Sequence, residues 1–85
     1  MTEAEAKAVL DKLRAGKRYE ESSYMDGMRK TYEWLESEQM VRVTRYEAYS
    51  KGEPWVDLHS PDSFRALLCR FPWAEMARWA QARAR

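Results

Sequence analysis

The spacing of apolar residues changes character several times along this chain, and each change predicts a different element. Thr2-Glu3-Ala4-Glu5 has the spacing of a capping box, in which a Thr hydroxyl and a Glu carboxylate satisfy each other's free backbone N–H groups. A helix over residues 3 to 15 follows, with Ala6, Val9, Leu10 and Leu13 on one face and Gly16 placed to supply a left-handed residue past its end. Residues 17 to 21, KRYEE, read as a charged connector. Ser22 or Ser23 can cap a second helix, in which Met25, Met28, Tyr32 and Leu35 recur at helical spacing up to about Glu38.

The pattern then turns to the Val, Tyr, Thr and Arg composition of a strand over Met40 to Tyr49, with Val41 and Val43 on one side and Arg42, Thr44 and Tyr46 on the other. Ser50-Lys51-Gly52-Glu53-Pro54 has turn composition, and Trp55 to His59 is a second strand-like run, so the two form an antiparallel hairpin. Ser60 as N-cap, Pro61 at the first helical position and Asp62 in the first turn start a further helix with Phe64, Leu67, Leu68 and Phe71 as its stripe. Pro72 interrupts it, and a last helix over about 73 to 84 carries Trp73, Met76, Ala77 and Ala80 on one side, with Trp79 near the edge of that face. The expected fold class is α+β, a single domain over residues 1 to 85 with about four helices and one antiparallel β-hairpin.

Length and composition narrow the function classes. Eighty-five residues suffice for one core and no more. Cys69 is the single cysteine, which excludes an internal disulfide and fits a reduced, cytoplasmic setting. No apolar run reaches membrane-spanning length, and the N-terminal stretch is acidic rather than basic, so neither a membrane span nor a secretory leader is expected. Fifteen basic and fourteen acidic residues leave a net charge of +1, which argues against both an acidic nucleic-acid mimic and a protein that coats nucleic acid by charge alone. Ten Arg against five Lys, eleven Ala and no Ile or Asn suggest a GC-rich coding sequence of bacterial or phage kind. The core must therefore draw on aromatic residues and Met. Eleven aromatics exceed what so small a core encloses, which leaves some for a binding surface.

Catalytic chemistry has little to rest on. His59 is the single histidine; Asp57 would share a strand face with it, but no nucleophile and base are recognisable together, and no zinc spacing or phosphate loop occurs. Neither catalytic residues, a metal, a cofactor nor a small-molecule substrate is expected.

Two phrases carry a family resemblance. Trp34-Leu35-Glu36-Ser37-Glu38-Gln39-Met40-Val41 is similar to the end of a recognition helix running into a wing, and Val56-Asp57-Leu58-His59-Ser60-Pro61 to the strand that returns from the wing into a helix. On residues 31 to 68 the chain thus resembles a winged-helix domain. Gln39 stands where that family usually has Gly, and His59 where it often has Thr. The resemblance implies a DNA-binding transcriptional regulator whose helix from Ser23 enters the major groove. Ser22, Ser23, Arg29 and Lys30 would then meet DNA, and Arg42, Arg45 and Lys51 of the wing would meet phosphates. Asp26, Glu33, Glu36 and Glu38 on the same helix would oppose this.

The alternative class is a protein-binding inhibitor or adaptor, such as a phage-encoded, anti-CRISPR-like inhibitor of a host defence or of a host regulatory complex. It would use Tyr46, Tyr49 and Trp55 around the hairpin, since aromatic and Arg side chains together are enriched at interface centres. A homodimer is compatible with either class.

Overall fold

The computed structural model describes residues 1–23, 27–47, 52–70 and 73–82. Among them the chain runs α1 (Glu3–Arg14), β1 (Tyr19–Ser23), β2 (Met28–Leu35), β3 (Met40–Glu47), β4 (Trp55–His59), α2 (Pro61–Arg70) and α3 (Ala74–Gln81). The strands form one antiparallel sheet in the order β1-β2-β3-β4. The fold is α+β as expected, but with three helices and a four-stranded sheet in place of four helices and a hairpin.

Helix α1 is built from local signals. Thr2 Oγ1 accepts from the Glu5 backbone N–H at 3.1 Å while the Thr2 backbone N–H donates to Glu5 Oε1 at 2.9 Å, the reciprocal capping box. These bonds hold the Glu5 carboxyl below its usual range. At the other end Gly16 adopts φ +92°, and the N–H groups of Gly16 and Lys17 donate to the carbonyls of Leu13 and Lys12, satisfying two carbonyls that the helix leaves free.

Where it is described, the segment expected as a second helix is instead the end of β1, the strand β2 and the turn after it; residues 24 to 26, with Met25 and Asp26, lie outside the described residues. Met28, Tyr32 and Leu35 fit helical spacing, but Thr-Tyr-Glu-Trp at 31–34 is rich in β-branched and aromatic residues and alternates apolar with polar. Pairing with β1 on one side and β3 on the other then satisfies the β2 backbone on both edges. Gly27, with φ +60°, leads into the strand. Residues 36 to 39 turn the chain from Leu35 to Met40, with Gln39 in a left-handed conformation and its amide donating to the Glu36 carbonyl at 2.8 Å. The connector expected at 17 to 21 is likewise partly strand, since β1 begins at Tyr19.

All three helices lie on one face of the sheet. Ala6, Val9, Leu10 and Leu13 of α1, Phe64 and Leu68 of α2, and Met76 of α3 are buried together with Tyr19, Tyr32 and Val41 from the inner sheet face. Aromatic rings tie the layers: Tyr32 lies 6.2 Å from Phe64 and 5.8 Å from Trp73 between centroids, and Tyr19 lies 5.0 Å from Trp79. Lys12 joins α1 to the end of α3, donating to the carbonyls of Trp79 and Ala82. In place of the expected span 73–84, the last helix covers Ala74–Gln81; Phe71, Pro72 and residues 83 to 85 lie outside the described residues.

Candidate functional site

The register sorts every strand residue to one of two faces. Tyr19, Tyr32, Val43 and Asp57 form one row across the inner face, flanked by the row Glu21, Lys30, Arg45 and Trp55. On the outer face the rows are Glu20, Thr31, Thr44 and Val56, and Glu33, Arg42 and Leu58.

No helix covers the outer face among the described residues, yet its centre is shielded. Thr31 and Thr44, cross-strand partners, are 3% and 7% exposed. Longer neighbouring side chains stand about them. Arg29 lies over the Tyr46 ring at 4.6 Å and 3.9 Å from the Glu20 carboxylate, and Arg42 Nε donates to Glu33 Oε1 at 2.8 Å. Toward β4 the surface becomes apolar: Val56 and Leu58 are 53% and 50% exposed, and Trp55, on the inner side but at the sheet margin, is 65% exposed. Strand β4 carries no Lys or Arg, and among the described strands its far edge has no partner.

The inner face is covered over only part of its length. Beyond the buried row, a cleft of about 510 Å³ opens between the sheet and the α2–α3 side, with Tyr32 and Val43 as floor, Leu67 and Trp73 as wall, and Lys30 and Arg45 at its sheet end. Glu21, Asp57 and His59 also line it. The Tyr32 hydroxyl donates to Glu21 Oε2 at 3.2 Å, and burial, reinforced by that carboxylate, pushes the Tyr32 pKa well above its ordinary value.

The expected DNA-contacting residues are thereby divided. Arg29 and Arg42 lie on the outer face, Lys30 and Arg45 on the inner, and Ser22 and Ser23 close β1 opposite Arg29 and Met28. The helix that was to carry Ser22, Ser23, Arg29 and Lys30 into a groove is strand over 28–35, because sheet pairing on both sides outweighs the helical spacing of three apolar residues. Of the expected protein-binding residues, Tyr46 faces outward beside Arg29 and Trp55 stands at the margin near Arg45, 5.7 Å from ring centroid to guanidinium carbon. Lys51 and Tyr49 lie outside the described residues. Val56 and Leu58 were missed. Their signal was present as the apolar alternation of β4, but whether that alternation faces a core or solvent is not written in a single strand.

Asp57 and His59 share the inner face as expected, with no hydrogen bond between them; the His59 ring instead lies 6.2 Å from Phe64. The Cys69 thiol pKa is pushed upward by partial desolvation and by Glu3, the direction opposite to that of an activated nucleophile. Among the described residues no group of three or more His, Cys, Asp or Glu side chains could hold a metal ion, and no helix is long and apolar enough to cross a membrane. No family model, curated protein or solved structure matches the chain.

Proposed function

We propose that this chain is a non-catalytic module that binds a protein partner, which adds an extended segment along β4 and lays side chains on Trp55, Val56 and Leu58. The observation that carries this reading is the character of β4. Among the described strands it is an edge strand with three large exposed apolar residues, no Lys or Arg, and Asp57 as its one acidic residue. Strand addition draws affinity from main-chain hydrogen bonds and specificity from alternate side chains, and Val56 and Leu58 offer such alternate contacts on one face. Tyr46 with Arg29 extends the same outer face with an aromatic and a cation. An inhibitor of a host defence or of a host regulatory complex is one form this module can take.

A DNA-binding regulator of winged-helix type is the competing proposal. Its support is the β3–β4 pair running directly into α2, the order a wing requires, with Arg45 on β3. Against it, Arg29, Arg42 and Arg45 each stand within ion-pair distance of a carboxylate, Glu20, Glu33 and Glu47 respectively, which reduces what they can offer phosphate.

Capture from bacterial lysate with and without nuclease tests both, using the wild type, a Val56→Lys/Leu58→Lys variant and an Arg29→Glu/Arg42→Glu variant. A stoichiometric protein that resists nuclease and is lost with the β4 variant is the expected result. Nuclease-sensitive capture that falls steeply with salt and is lost with the arginine variant would replace the protein reading with the DNA one.

A further inference from the structure

The cleft on the inner face brings together charged groups that the described residues satisfy only in part. Lys30 and Arg45 are direct cross-strand partners on that face, two cations side by side, a repulsion that the Glu47 carboxylate at 3.8 Å from Arg45 Nε offsets only in part. The Lys30 ammonium makes no ion pair with another described residue. Glu21, directly across from it on β1, is held by the Tyr32 hydroxyl. Among the described residues the Arg45 Nε is buried without a hydrogen-bond partner; a Glu47 carboxylate oxygen is 3.8 Å away, beyond hydrogen-bond reach. Asp57 lines the same cleft from β4, and its carboxylate too makes no ion pair among the described residues. The cations and this carboxylate therefore share one cavity without touching, above an apolar floor and wall of Tyr32, Val43, Leu67 and Trp73.

We infer that this cleft binds a small zwitterion with an apolar body, of the class of a free α-amino acid with a large apolar side chain. Its carboxylate would take the Lys30 ammonium and the Arg45 guanidinium, its ammonium would take Asp57, and its side chain would cover Tyr32 and Val43 against Leu67 and Trp73. The chemistry of the lining selects this class. A dianion would meet Glu21 and Asp57 on its flanks, and a plain cation would meet Lys30 and Arg45, whereas a zwitterion satisfies both signs. The volume, about 510 Å³, lies within the usual range for small-molecule sites, and a few convergent polar groups over an aromatic floor are their common composition. The sequence offered no sign of such a site, because its residues come from β2, β3, β4, α2 and the approach to α3. The inference is independent of the partner surface proposed on β4.

The test is a titration of the whole chain, followed by amide chemical shifts, with L-phenylalanine, 3-phenylpropionate and phenethylamine as probes. The expected result is saturable shifts for L-phenylalanine centred on Lys30, Tyr32, Val43, Asp57 and Trp73, with each half-ligand binding about tenfold or more weakly, the usual cost of a lost charged hydrogen bond. Lys30→Met should weaken L-phenylalanine about tenfold and leave phenethylamine unchanged, and Asp57→Asn should do the same while leaving 3-phenylpropionate unchanged. Both residues are partly or largely exposed, so both variants should keep the wild-type circular dichroism spectrum. Absence of saturable shifts, shifts centred elsewhere, half-ligands that bind as tightly as L-phenylalanine, or variants that weaken all three probes equally would each overturn the inference.

Discussion

The two edge strands of the sheet, β1 and β4, solve the same problem in opposite ways. β1 carries Glu20, Glu21 and two serines, follows Lys17 and Arg18, and is anchored through Tyr19, which packs between Tyr32 and Trp79. Its charged residues discourage another strand from pairing with it. β4 is held to β3 along its whole length, but Trp55, Val56 and Leu58 remain about half exposed or more. The difference shows that exposure of apolar area is not imposed by the edge position itself. The same sheet lines one edge with adjacent carboxylates and leaves apolar area exposed on the other, which is why the proposed function rests on β4.

Removing the anchor of the protected edge should give the largest effect. Tyr19→Ala deletes a buried ring with two aromatic neighbours, and chemical denaturation should show a loss of about 3 kcal/mol. A loss under about 1 kcal/mol would mean that β1 is not held by its core contact.

Next in size is the open edge. Trp55→Ala should weaken the captured partner by about 2 kcal/mol or more, as expected of an aromatic at an interface centre, while folding stability changes by less than about 0.5 kcal/mol. A comparable loss of stability would mean that Trp55 serves the fold rather than a partner.

A third prediction concerns the hydroxyl that ties β2 to β1. Tyr32→Phe removes its bond to Glu21 and should cost about 1 kcal/mol at neutral pH. The pH dependence has a definite sign. Below the ordinary tyrosine value of 10.0 the folded and unfolded chains both keep this proton. Above it the unfolded chain releases the proton while the fold retains it, so stability falls as pH rises through 10 toward the raised folded value. Stability measured between pH 10 and 11 should therefore fall less steeply with pH in Tyr32→Phe than in the wild type; equal slopes would refute the coupling.

The smallest effect belongs to the charged margin of β1. Glu20→Gln loosens a surface pair with Arg29 at 3.9 Å and should change stability by less than about 0.5 kcal/mol, with capture of the partner unaltered. A marked loss of capture would extend the binding surface from β4 across the outer face to β1.

Much of the periphery was legible in the sequence. The capping box of Thr2 and Glu5, the stripe of Ala6, Val9, Leu10 and Leu13, and the left-handed Gly16 are local features, and each is found where its spacing predicts it. Ser60 likewise caps α2, its hydroxyl accepting from the Ser63 N–H at 3.2 Å. Val41 and Val43 share one face of β3 while Arg42, Thr44 and Tyr46 share the other, as alternation requires. The segment 19–35 was misread because its evidence is not local. Met28, Tyr32 and Leu35 suit either a helix or a strand, and the choice depends on pairing with residues up to nineteen positions away, such as Met28 with Glu47.

By itself, then, the sequence determined where α1 starts and stops, where α2 starts, and that a hairpin precedes α2, because caps, stripes and alternation act between residues a few positions apart. The tertiary structure decided that β2 is a strand and that Lys30 and Arg45 are neighbours on one face while Arg29 and Arg42 are on the other. It also decided that Val56 and Leu58 meet solvent while Val41 meets the core. Those outcomes depend on which face the helices cover, a choice made by long-range packing of Tyr32 against Phe64 and Trp73 rather than by any short stretch of chain.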